Sequence, residues 1–199
     1  VSAPEWGPVL LDLARASLLD ALKLEHPATE HSEPWLNDPG ACFITLRRLD
    51  QLRGCVGSVR AYRPLREDVW SNARAAAFSD TRFPPVRREE LPEIHLEVSL
   101  LSAPEPVVVT CEEDACRILR PGLDGVIFEW GGSRSTFLPQ VWEQLADPLD
   151  FLGHLKHKAG LPPRFWASDV KLWRYAVTKW EEEKGRKGPE GLKGQQEKP

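Results

Sequence analysis

The sequence predicts an α+β fold of mainly antiparallel sheet with flanking helices, in one domain or two closely packed lobes, and three observations carry the fold class. Apolar residues recur at helical spacing in residues 7–24 and 65–78. Residues 94–100 alternate between apolar and polar. Two pairs of strand-like runs meet at tight turns as hairpins, whose strands are antiparallel. With 199 residues, eight of them Trp, the chain has the material for one good core.

The opening helix rests on the stripe Leu10, Leu13, Ala14, Ser17, Leu18, Ala21 and Leu22, and it stops before Pro27. Residues 26–39, rich in Pro, Asn, Asp and Ser, read as a loop. A strand at 42–46, a turn at 49–51 and a returning strand at 52–59 form a hairpin. The second helix, 65–78, buries Leu65, Val69, Ala73, Ala76 and Ala77 and turns Arg66, Glu67, Asp68 and Arg74 outward. The strand at 94–100 sends Ile94, Leu96, Val98 and Leu100 one way and His95, Glu97 and Ser99 the other. A short strand at 107–110 and a short helix at 112–119 follow. A second hairpin, 125–130 with 135–138, turns through Gly131-Gly132. Helical patterns at 139–145 and 149–159 precede an alternating run at 170–177, expected to close the sheet. Residues 1–180 are expected to form a single domain, whole or in two closely packed lobes, and 181–199, dense in Glu, Lys, Gly and Gln, is expected to be a disordered tail.

A formal charge of −4 with interspersed Arg, Asp and Glu argues against nucleic acid as a partner. No apolar run reaches the roughly 20 residues that span a bilayer, and the first residues lack a signal-peptide pattern, so a cytoplasmic protein is expected. The four cysteines, Cys42, Cys55, Cys111 and Cys116, contain no Cys-x-x-Cys pair and are expected to be reduced thiols. His154 and His157 sit one turn apart but lack an acidic partner and neighbour two lysines, so neither a metal nor any other cofactor is expected.

The chemistry concentrates in Leu52-Arg53-Gly54-Cys55-Val56-Gly57. Two glycines inside a strand pattern imply a bulge or a close backbone approach. Regular alternation puts Arg53, Cys55 and Gly57 on one face, where a guanidinium favours the Cys55 thiolate and makes it a candidate nucleophile. The plainer reading makes Cys55 an apolar filler and Arg53 the partner of a structural carboxylate such as Glu97. In the stiff turn Ser79-Asp80-Thr81-Arg82-Phe83-Pro84-Pro85, Asp80 is placed to cap backbone amides, while Arg82 and Phe83 can hold an anion or stack a planar ligand. A loop salt bridge is the alternative for Arg82.

These motifs, with Glu97-Val98-Ser99-Leu100-Leu101, Gly122-Leu123-Asp124-Gly125-Val126, Phe137-Leu138-Pro139-Gln140-Val141-Trp142, Phe151-Leu152 and Lys158-Ala159-Gly160-Leu161, resemble in order the AMME-syndrome candidate protein family, also called AmmeMemoRadiSam system protein A. The resemblance covers about 40–180; Val56 departs from the family's more frequent Ile. It implies an α+β fold of two joined lobes with the Arg-Gly-Cys hairpin at the mouth of a groove. Its implied groove residues are Arg53, Gly54, Cys55, Gly57, Arg82, Phe83 and Glu97, and its implied associates are a Memo-type protein and a radical-SAM protein.

Two functions follow. One is a noncatalytic partner or ligand-binding module whose groove takes a small anionic molecule or a peptide. The other is an enzyme with Cys55 as nucleophile, Arg53 or Arg82 binding an anionic group, and Glu97 or His95 moving protons.

Overall fold

In the computed structural model, which describes residues 6–26 and 31–183, the leucine stripe becomes the buried face of α1 (Trp6–Ala21). The chain continues through β1 (Pro39–Gly40), β2 (Cys42–Arg48), β3 (Gln51–Gly57), β4 (Arg63–Pro64) and α2 (Leu65–Phe78). Next come β5 (Ile94–Leu101), β6 (Glu105–Val107), α3 (Glu112–Ile118), β7 (Gly125–Trp130) and β8 (Ser133–Phe137). The last elements are α4 (Pro148–Lys158), β9 (Lys171–Tyr175) and β10 (Val177–Glu181). Short 3-10 helices cover Pro34–Asn37, Arg88–Glu93 and Pro139–Glu143. The α+β expectation holds.

The described residues divide into two compact units, one within Val1–Ser58, Tyr62–Ser99 and Lys179–Pro199, the other Val59–Ala61 and Leu100–Thr178. The first unit is built on a sheet of order β10-β5-β2-β3. The helix α2 packs against both α1 and the β2–β3 hairpin. Leu10, Leu18, Ile44, Leu46, Val69, Leu96 and Val98 are almost completely buried there. Each large aliphatic side chain so placed contributes about 1.5–3 kcal/mol.

The β2–β3 connection is a two-residue turn in which Leu49 and Asp50 both take positive φ (50° and 62°), the primed geometry whose twist suits a hairpin. Below it lies a buried polar network. The Asp68 carboxylate accepts from the Cys42 N–H at 2.9 Å, Ser58 Oγ at 2.7 Å, Arg63 Nε at 2.8 Å and Asn72 Nδ2 at 2.9 Å. These donors satisfy the buried carboxylate, which ties the start of β2 to the end of β3.

The second unit has a sheet of order β6-β9-β7-β8, and its core includes Phe128, Phe151, Leu152 and Leu155. Trp142 stacks on Phe151 with ring centroids 3.7 Å apart, and its indole N–H donates to the Asp124 carbonyl at 2.7 Å. The buried Asp124 carboxylate accepts from the Arg120 guanidinium at 2.6 Å and from the Arg120 N–H at 2.9 Å, across the turn that holds Gly122 at φ 79°. The motifs around Gly122–Val126 and Phe137–Trp142 thus have packing and turn roles.

Several expectations change, among them the outward Asp68 of the second helix, which is buried under its four donors. The run expected as one closing strand at 170–177 breaks at Ala176: β9 lies between β6 and β7, whereas β10 pairs with β5 in the other sheet. The strand expected at 107–110 lies earlier, as β6, because pairing with β9 fixes Glu105 to Val107 and leaves Val108 exposed. Between the 79–85 turn and β5, where the sequence predicts no element, lies the 3-10 helix Arg88–Glu93. The tail does not begin at 181, since Glu181 ends β10 and Glu182 is buried, ion-paired with Arg15 and accepting from the Leu96 N–H at 2.9 Å. The rest of the expected tail, 184–199, lies outside the described residues.

Candidate functional site

The strand β3 is at the edge of its sheet, and its register against β2 slips between Leu46 and Arg47. Gly54 faces Leu46 and Leu52 faces Arg47, so Arg53 is the extra residue of a bulge. Regular alternation therefore ends at Arg53, and the expected shared face of Arg53 with Cys55 and Gly57 is not set by the pleat. The Arg53 side chain turns to the 3-10 helix Arg88–Glu93. There its Nε and Nη2 donate to the two oxygens of Glu90 at 2.9 and 3.1 Å. The expected partner Glu97 is elsewhere, accepting from Ser99 Oγ at 3.3 Å and paired with Lys179 at 3.3 Å.

This fork binds a nearly buried pair, with 11% of the Arg53 side chain and 14% of the Glu90 side chain exposed. The Arg53 guanidinium, first among the causes, holds the Glu90 carboxyl down to about 2. Glu90 also accepts from the Arg87 N–H at 2.9 Å and from Arg48 Nη1 at 3.3 Å, and Arg48 Nε donates to Glu93 at 2.6 Å. One atom of Arg53 is left over: Nη1 is buried and has no hydrogen-bond partner. An unpaired buried donor costs about 1–3 kcal/mol.

The two glycines are there because the protein itself lies against them. A Cβ on Gly54 would sit 2.1 Å from the Ala76 carbonyl oxygen of α2, and one on Gly57 would sit 2.3 Å from the Phe43 ring and 2.6 Å from the Cys42 oxygen. Their absent side chains let α2 and Phe43 close onto the hairpin.

Cys55 is half-buried, opposite Thr45, whose hydroxyl donates to its sulfur at 3.5 Å. The main-chain groups of Cys55 point to the open edge of the sheet, where the 79–86 turn meets them. Asp80 Oδ2 accepts from the Cys55 N–H at 2.9 Å, and Arg82 Nη2 donates to the Cys55 carbonyl at 3.3 Å. Asp80 also accepts from Arg82 Nε at 2.9 Å, Arg82 Nη2 at 2.7 Å and the Arg82 N–H at 3.2 Å. A carboxylate and a guanidinium thus occupy the places that a neighbouring peptide's C=O and N–H would take, protecting an edge that could otherwise pair with another chain. The Asp80 carboxyl is held well below the usual range, first by Arg82 and then by the Cys55 N–H.

Phe83, half-buried on this turn, has the Arg82 Cζ 5.5 Å and the Arg53 Cζ 6.0 Å from its ring centroid, both at cation–π range. The structure thus gathers Arg53, Cys55, Arg82 and Phe83 and joins them to Asp80 and Glu90. It does not bring Glu97 or His95 to them: those two line a small depression with Arg47, Asp50, Leu96, Glu181 and Glu182. Glu90 escapes a reading of the sequence because it lies 37 residues from Arg53. The one local signal is its place in the first turn of a short helix, where a carboxylate reaches back to cap an N–H.

Among the described residues, no group of three or more His, Cys, Asp or Glu side chains is arranged to hold a metal ion. All four cysteines are free, and no helix among these residues is long and apolar enough to cross a membrane.

Comparison with known proteins gives a consistent picture. The AMMECR1 family model matches residues 11–180. A Thermococcus gammatolerans protein is 39% identical over 196 residues, covering 93% of this chain and 94% of its own. A Saccharolobus islandicus protein is 38% identical over 179 residues, covering 86% and 79% respectively. The crystal structure of uncharacterised protein PH0010 from Pyrococcus horikoshii superposes with a TM-score of 0.75 at 36% identity, covering 90% of this chain and 92% of that one.

Proposed function

The chain belongs to the AMMECR1 family, and from that premise we propose that it is a noncatalytic binding module whose recognition surface is the β3 segment Arg53-Gly54-Cys55 with Arg82 and Phe83. Its ligand is a small anionic molecule or a peptide, and it works beside a Memo-type protein and a radical-SAM protein. The observation that supports this reading best is the aromatic ring of Phe83 flanked by two guanidiniums, each fixed by its own carboxylate, with one buried donor of Arg53 left unused. Groups fixed before a ligand arrives lose little entropy on binding.

The alternative, with Cys55 as nucleophile, has less support. The hydrogen-bond contact of its sulfur is the Thr45 hydroxyl, and the expected proton carrier Glu97 is engaged by Lys179 and Ser99. A nucleophile needs a base within hydrogen-bond reach.

Calorimetry against the Memo-type and radical-SAM proteins, and against small carboxylates, phosphates and short peptides, tests the proposal. Arg53→Ala and Arg82→Ala are expected to weaken binding by about tenfold or more, with Cys55→Ser close to wild type. Absence of binding to any of them would defeat it, and so would a covalent adduct that disappears in Cys55→Ser.

A further inference from the structure

We draw no further inference here: the strongest candidate, the tip of the β2–β3 hairpin, where Leu49 is 76% exposed in a left-handed conformation (φ 50°) with Leu52 exposed beside it, carries no proposal because nothing in the structure shows what covers that apolar surface.

Discussion

The carboxylate of Asp80 accepts the backbone N–H of Cys55 at 2.9 Å from a turn 25 residues further along the chain, and Arg82 completes the clamp on the carbonyl of the same residue. Replacing Asp80 by Asn removes the charge that holds Arg82 and weakens the bond to Cys55. Exchange of the Cys55 amide hydrogen is expected to accelerate by about tenfold or more in Asp80→Asn. Unchanged protection would mean that the clamp does not stabilise the edge.

Arg53 and Glu90 form a nearly buried fork, so removing one partner strands the other. Glu90→Gln is expected to destabilise the protein by about 3 kcal/mol, while the paired change Arg53→Met with Glu90→Leu costs less than the sum of the single changes. Urea unfolding of the four proteins reads the coupling directly.

The same pair predicts a pH dependence. The folded Glu90 carboxyl is lowered to about 2, whereas an unfolded one titrates near roughly 4.3. Its contribution is fully present above the unfolded value and is lost as pH falls from there towards the folded one. The stability difference between wild type and Glu90→Gln should therefore shrink between about pH 5 and pH 2 and be level above pH 6.

Gly54 carries no positive φ, so any cost of substituting it comes from packing. Gly54→Ala drives a methyl group into the Ala76 carbonyl and is expected to cost about 3 kcal/mol, measured by chemical denaturation. A wild-type midpoint would mean that α2 can move away from the hairpin freely.

The thiols should separate by accessibility. Cys42 is fully buried, and burial, followed by the nearby Asp68 carboxylate, pushes its thiol well up. Cys55 is half-exposed. Mass spectrometry after brief alkylation of the native protein is expected to find Cys55 modified and Cys42 modified only on unfolding.

Part of this arrangement is legible before folding. The stripes that build α1 and α2, the β2–β3 hairpin and the alternation of β5 from Ile94 to Val98 follow from periodicity, because burying one face requires a local repeat of apolar residues; beyond Val98 the alternation breaks, with Ser99 buried and Leu100 only half-buried. The glycines at 54 and 57 announce a close approach, and Asp80 announces a cap on backbone amides. Each signal is local, but the partner in each case is not.

The sequence by itself determined the helices, the hairpin and the short segments in which the chemistry lies. Only the tertiary structure decided that Arg53 would leave the pleat and join Glu90, that Asp80 would cap Cys55, and that Glu97 would pair with Lys179. The physical reason is that periodicity reports which side chains share a face within one element. A single inserted residue, the bulge at Arg53, is enough to redirect a side chain, and its destination depends on which distant segment packs there.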